Sequence, residues 1–331
     1  MLKVCIFGGG AIGGHLAGHL ARAGLCEVSV VARGATLAAL RENGLSVTTP
    51  AGSFQVHVHA TDDPASLGPQ DYLFLTLKAH QVEDALDQLR PLVGPQTAIL
   101  PPTTAIPYYF FHGGSGDFRN RRLPGVDPQG RQWEALPPEQ VLGCVYWIGA
   151  HSSAPGVVVQ DGAKAGCPLG ELDGSESPRV RRLSELLTAS GIEAKVNADI
   201  RAAIWMKFVN SLCWNPVAVL TLATLGEIGA DPAAAQLVET MMNEADALAT
   251  RLGLQLPQPP AKRIKLTLSA PRHKMSMLQD LEHGRPLELA ALAQSLAAVR
   301  ELAGLPTPTL DAVLALAMLR AQTHSPNEHA R

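Results

Sequence analysis

The stretch VCIFGGGAIGGHLAGHLARAG, Val4–Gly24, sets five glycines between positions 8 and 14. Glycine inside a regular element costs roughly 0.5–1 kcal/mol relative to alanine. So dense a cluster calls either for a permissive loop or for something that must approach the backbone closely. The flanks decide what kind of chain can carry it. Lys3–Phe7 (KVCIF) reads as a buried strand, and Ala11–Gly24 reads as a helix closed by glycine. Gly8, Gly10 and Gly13 therefore match the GxGxxG turn between a strand and a helix, which cradles a dinucleotide. Gly8 allows the tight turn, Gly10 lets the backbone approach a pyrophosphate, and Gly13 lets the helix pack on the strand. Ala11 and Ile12 open the helix, whose free N–H groups face the anion. The alternative is a glycine-rich loop that serves packing alone.

The rest of the first half continues the alternation. Glu27–Arg33 (EVSVVAR), Asp71–Ala79 (DYLFLTLKA) and Thr97–Pro102 (TAILPP) read as strands, and QVEDALDQLRPLV as a short amphipathic helix. A hairpin is expected in LSVTTPAGSFQVHVHA, turning at Pro50-Ala51-Gly52. Strand–helix repetition of this kind predicts a mostly parallel sheet with helices on both faces. From about Tyr108 to Gly174 the chain is rich in Gly, Pro and Arg. It reads as loops and hairpins that extend the sheet, with a turn at Asp127–Gly130. The Arg119/Arg121/Arg122 cluster there reads as a solvated loop face or, alternatively, an anion site.

The strand after the glycine turn bears on which dinucleotide fits. An NAD-type site places an acid about 20 residues on, to hold the ribose hydroxyls. Twenty residues after Gly13 stands Arg33, and no Asp or Glu marks that strand end. A guanidinium there suits a 2′-phosphate and points to NADPH; the plainer alternative is a surface arginine. Lys78 and Gln81, in TLKAHQ at the end of another strand, are expected to face the same cofactor.

Beyond GIEAKVNADI the pattern turns helical. Helices are expected over Asp199–Leu212, Pro232–Leu252, Pro259–Thr267, Ser276–Glu282, Pro286–Ala303 and Thr309–Ala321, and the terminal HSPNEHAR should be loosely ordered. The organisation implied is a dinucleotide-binding α/β domain over residues 1–195 and an all-α domain over 196–331. Lys207 is a lone cation in an otherwise apolar helix, and helical spacing places Asn210, Ser211 and Asn215 on its side. A snorkelling lysine explains this pattern as well as a proton donor does. Glu288 falls in the first turn of a helix opened by Pro286, where its plain role is to complement the helix dipole.

Together these segments resemble the ketopantoate reductase family. The likeness rests on GGGAIG, Arg33, TLKAHQ, IWMKF…NP, SMLQDLEHGRPLE and AGLPTPTLD, while IPYYFF, VDPQG and LGELDG suggest a longer-chained branch. The resemblance implies a Rossmann domain joined to a helical domain, with the active site in the cleft between them. It implies NADPH-dependent reduction of 2-dehydropantoate to pantoate. Lys207 would be the general acid, Glu288 would hold the substrate hydroxyl, and Asn210, Ser211, Asn215 and Ser276 would bind substrate. Arg33 and Lys78 would meet the 2′-phosphate, and Gln81 and Thr104 would lie near the cofactor. The chain departs from the family where Thr104-Ala105 stands for an Asn-Gly pair and where Ser211 stands four residues after the lysine. It departs again in LAALAQS after Glu288 and in the apolar LTLATL. Two alternatives follow: a reductase for a less polar 2-oxo acid or ketone, or an NADPH-binding sensor without turnover.

Composition excludes other classes. A net charge of −3 provides no basic field for nucleic acid, and no apolar run suits a membrane span. Five cysteines without CxxC spacing read as reduced, mostly buried thiols in a cytoplasmic protein, with no metal site. The apolar helices Ala290–Ala321 either pack internally or form a homodimer interface.

Overall fold

The computed structural model describes residues 1–323; the HSPNEHAR segment lies outside them. The chain divides into two compact units. The first holds Met1–Thr103, Pro107–Arg122 and Asp127–Arg201, and the second holds Thr104–Ile106, Leu123–Val126 and everything from Ala202 on.

In chain order the first unit contains β1 (Leu2–Phe7), α1 (Ala11–Ala23), β2 (Cys26–Val31), α2 (Gly34–Asn43), β3 (Leu45–Thr49) and β4 (Gly52–Val56). There follow β5 (His59–Thr61), β6 (Tyr72–Leu75), α3 (Val82–Leu89), β7 (Ala98–Leu100) and α4 (Arg131–Ala135). It ends with β8 (Leu142–Cys144), β9 (Trp147–Ala154), β10 (Val157–Gly166), β11 (Leu169–Glu171) and α5 (Pro178–Ala189). The main sheet runs β5-β2-β1-β6-β7, and every pair in it is parallel. Its strands are buried apolar runs such as Val4–Phe7 and Tyr72–Leu75, as a parallel sheet covered on both faces requires. The chain leaves β1 for β2 on one side and reaches β6 on the other, so the crevice beyond the end of β1 is the position where such sheets bind ligands.

The hairpins do not extend that sheet. β3 and β4 pair antiparallel with Thr49 opposite Gly52, and β10 joins β3 in parallel and β9 in antiparallel fashion. The result is a separate four-stranded sheet, β4-β3-β10-β9, laid over α1. Two glycines permit the contact. A Cβ on Gly14 would stand 2.7 Å from Val158 Cγ2, and one on Gly18 would stand 2.5 Å from Val47 Cγ2. α1 is thus buried on several faces and closes at Gly24, left-handed at φ 66°.

The remaining signature segments of this unit are structural. Glu171 in LGELDG, buried, receives Arg179 Nε at 2.7 Å and Nη2 at 2.6 Å, a two-point ion pair. Arg201 donates to the main-chain carbonyls of Phe110 (2.9 Å) and His112 (3.2 Å), pinning the loop after IPYYFF. Asp127 accepts from Gln132 N and Trp133 N, so the expected Asp127–Gly130 turn also opens α4. Arg119, Arg121 and Arg122 are exposed, and Arg122 lies over the Trp133 ring at 4.6 Å. All five cysteines are free and buried.

The second unit contains α6 (Ile200–Thr221), which starts two residues before it, then α7 (Leu225–Ala230), α8 (Pro232–Arg251) and α9 (Pro260–Thr267). α10 (Ser276–Glu282), α11 (Leu289–Ala303) and α12 (Pro308–Thr323) complete it. α8 packs against α7, α9, α11 and α12. Its Glu244 carboxylate accepts the N–H groups of Thr309 and Leu310, both at 3.0 Å, and so caps α12.

Two expectations about this unit are corrected. The helix holding Lys207 does not stop at Leu212 but runs through Pro216 to Thr221. Proline removes one intrahelical bond, yet Trp205, Phe208, Leu212, Trp214, Val217 and Val219 are all at most 3% exposed. That burial outweighs the loss. The other helix begins at Leu289 rather than Pro286. Glu288 therefore sits at the helix cap rather than within the first turn. Among the described residues no helix is long and apolar enough to cross a membrane.

Candidate active site

The glycine turn joins β1 to α1. Gly8 has φ 118°, a backbone conformation that side chains disfavour, and its N–H donates to Val31 O at 3.0 Å. A Cβ on Gly13 would fall 1.9 Å from Gly8 O, so only glycine lets α1 start this close to β1. Gly10 differs: a Cβ there would meet nothing within 4 Å. The backbone at Gly10 thus faces open space at the positive end of α1, where Ala11 and Ile12 begin the helix. This is the cradle a pyrophosphate needs, and the residues present fit a dinucleotide. Thr76, which the sequence reading passed over, locks the turn by donating its hydroxyl to Gly8 O at 2.8 Å. No local pattern marks it; its role comes from the pairing of β6 beside β1.

A pocket of about 130 Å³ opens beside the turn. It is lined by Phe7 to Gly10, by Val31, Ala32, Arg33 and Thr36, and by Leu77 and Gln88. Arg33 is exposed and immediately precedes α2. Lys78 and Gln81 do not line this pocket. Lys78 N–H donates to the Gln81 side-chain oxygen at 3.0 Å, and Gln81 N–H donates to Lys78 O at 2.9 Å. The Gln81 amide oxygen is thereby engaged in closing its own turn.

The second unit carries the other group. Lys207, midway along α6, has its pKa lowered by burial, with the Glu288 carboxylate working in the opposite direction. Glu288 is 4% exposed and caps α11. Asn215, 1% exposed, accepts Met277 N–H at 3.0 Å and Ser276 Oγ–H at 3.4 Å, and donates to Ser211 O at 3.2 Å. Asn215 therefore ties α6 to the start of α10 and brings Ser276 to it. Ser211 is buried one turn after Lys207, whereas the Asn210 amide oxygen accepts from Thr267 Oγ1 at 3.1 Å and so faces α9. Thr104 belongs to the three-residue segment that groups with this unit. That segment is held by Ser295 of α11, whose Oγ accepts Ile106 N–H at 3.2 Å. Ser295 closes the LAALAQS stretch but carries no role in the sequence reading; a serine in an otherwise apolar helix was the available signal.

A parallel sheet with a dinucleotide cradle, and a helical unit presenting a half-buried lysine near a carboxylate, define a nicotinamide-dependent oxidoreductase. The comparisons with known proteins bear this out. Residues 4–102 match the family model "Ketopantoate reductase PanE/ApbA", and residues 199–321 match its C-terminal counterpart. A 2-dehydropantoate 2-reductase of Mesorhizobium japonicum is 42% identical over 315 residues, covering 95% of this chain and 96% of the relative. A structure from Ralstonia solanacearum MolK2, assigned to the ketopantoate reductases, superposes with TM-score 0.90 at 36% identity, covering 98% of this chain and 99% of that one. A D-mandelate dehydrogenase solved with NADH and anilino(oxo)acetate shares the fold, with TM-score 0.83 at 20% identity over 98% of this chain and 99% of that one. The chain belongs to the ketopantoate reductase family, oxidoreductases acting on CH–OH groups.

Proposed function

We propose that this protein reduces 2-dehydropantoate to pantoate with NADPH. The observation that carries the reading is Lys207: a lysine whose proton affinity is lowered by burial, with an opposing contribution from Glu288. Lysine at its ordinary pKa is a poor acid near neutral pH, and burial brings it closer to the working range. The dinucleotide, when bound at the glycine turn, supplies the hydride. Lys207 Nζ gives its proton to the ketone oxygen as negative charge develops there. Glu288, acceptor-only when ionised, holds the substrate hydroxyl, and Ser276 and Ser211 add hydroxyl groups. Asn215 retains at most one further N–H, because its oxygen accepts twice and one N–H is used on Ser211 O. Arg33 beside the pocket supplies the guanidinium for a 2′-phosphate, with Lys78 as a second cation.

A second reading has its own support. Thr104 carries one hydroxyl where relatives of the resembled pattern carry an amide, and the adjoining Ala105 is buried. A site with fewer polar partners discriminates less in favour of a polar substrate, which favours a less polar 2-oxo acid. NADPH oxidation across a panel of 2-oxo acids, with 2-dehydropantoate as reference and NADH as the alternative donor, tests both. The highest kcat/KM for 2-dehydropantoate supports the first reading. A preference of tenfold or more for an apolar acid supports the second. Tight NADPH binding with no turnover on any member leaves a sensor.

A further inference from the structure

Gln88 on α3 is not among the residues that the motifs single out, yet its side chain lines the pocket beside the glycine turn. Val31, Ala32, Arg33 and Leu77 line the same pocket. A pocket that sets Val31, Ala32 and Leu77 beside the Arg33 guanidinium, a cation suited to the 2′-phosphate, takes the flat purine ring of the adenosine half. Of its lining side chains only Arg33, Thr36 and Gln88 are polar. Arg33 donates only, and Thr36 stands against Gly9, whose Cβ would fall 2.9 Å from Thr36 Cγ2. A carboxamide offers a donor and an acceptor on adjacent atoms. It is the side chain that pairs with adenine, which presents an exocyclic N–H beside a ring nitrogen. The other glutamine of this region, Gln81, has its oxygen taken by Lys78 N–H at 3.0 Å.

We propose that Gln88 reads the adenine edge of the bound dinucleotide: its amide oxygen accepts the exocyclic N–H and its NH2 donates to the neighbouring ring nitrogen. The proposal rests on the dinucleotide reading of the pocket. It places a base-recognising group two helical turns along α3 from the Gln81 turn.

The test is a cycle that edits both partners. Dissociation constants are measured for NADPH and for its 1,N6-etheno analogue, in which the ring fused across N1 and N6 removes the exocyclic N–H donor. Both ligands are titrated against the unsubstituted protein and against Gln88→Leu. One or two neutral hydrogen bonds are each worth roughly 0.5–1.5 kcal/mol net. The unsubstituted protein should therefore prefer NADPH by about 2- to 160-fold. In Gln88→Leu that ratio should collapse toward one, while Gln88→Asn, with the amide drawn back by one methylene, should fall between. A merely structural role for Gln88 would weaken both ligands equally and leave the ratio unchanged, and that result overturns the proposal. If the unsubstituted protein binds neither NADPH nor NADH, the dinucleotide reading itself has failed and the proposal with it. Reduced nicotinamide mononucleotide, which lacks the adenosine half, should bind all three proteins alike; a loss confined to Gln88→Leu would place Gln88 elsewhere and overturn the assignment.

Discussion

The Glu288 carboxylate raises the proton affinity of the Lys207 ammonium while burial lowers it, and burial is the larger effect. The group that gives a proton to the ketone must be protonated, so ketone reduction should fall as pH rises through the Lys207 pKa. That limb should lie below the range of an exposed lysine. In Glu288→Gln the opposing charge is gone, the Lys207 pKa drops further, and the limb moves to lower pH. Lys207→Ala should cut kcat by about 10²–10⁴-fold, the usual worth of a general acid, with the NADPH dissociation constant changed less than about twofold. A pH–rate profile and a fluorescence titration check both. Unchanged turnover in Lys207→Ala would remove the lysine from the reaction.

Gly10 and Gly13 should respond differently to the same methyl group. A Cβ at Gly13 meets Gly8 O at 1.9 Å, so Gly13→Ala must displace α1 from β1 and lower the melting temperature. A Cβ at Gly10 meets nothing within 4 Å, so Gly10→Ala should melt normally. It should still weaken NADPH, because the methyl occupies the space into which a pyrophosphate comes. Thermal melts with and without cofactor separate these outcomes.

Arg33 carries the expectation of NADPH over NADH. Arg33→Ser removes the guanidinium facing the pocket and should lower the NADPH/NADH ratio of kcat/KM by at least about tenfold, the scale of a charge-assisted hydrogen bond. The NADH value itself should barely move. An unchanged ratio would assign the 2′-phosphate to another group.

His15 provides a test of the second sheet. It is fully buried on α1, with Nε2 2.9 Å from the Gln160 side-chain oxygen, and burial lowers its pKa to about 4. The Gln160 NH2 donates to Gly162 O, which turns the amide oxygen toward His15 and makes Nε2 the protonated nitrogen. Above about pH 6.5 the histidine is neutral both folded and unfolded, and contributes no pH dependence. Between there and pH 4 the unfolded chain takes up a proton that the folded one refuses, so stability falls with pH and then levels. The full loss should be about 3 kcal/mol. Denaturant melts at pH 7 and pH 5 should show most of it in the native sequence and much less in His15→Gln.

Much of the site was legible in short stretches of chain. The GxGxxG turn, the closing Gly24, the Asp127 turn and the boundaries of α8 and α10 are local matters of φ, capping and periodicity. The missed helices had local signals too. Ser177 accepts Val180 N–H at 3.2 Å ahead of Pro178 and opens α5, and Thr224 with Glu227 forms a capping box for α7. Other features had no local signal. Nothing in LSVTT states that β3 will leave the main sheet and pair with β10, more than a hundred residues on, because strand partners are chosen by long-range burial.

The sequence alone determined which backbone could bend: glycine at 8 and 13, where any side chain strains or collides, and so a strand–turn–helix built for a phosphate. It also determined which residues could carry charge into an apolar setting, Lys207 and Glu288. Tertiary structure decided what those possibilities became. It assigned Gly14 and Gly18 to the packing of a second sheet and carried α6 through Pro216. It turned Gln81 onto its own turn while Gln88 came to line the pocket. The physical reason is the same in each case. Torsional preference acts within a few residues, whereas burial and hydrogen-bond satisfaction are settled only by neighbours that the fold brings from elsewhere in the chain.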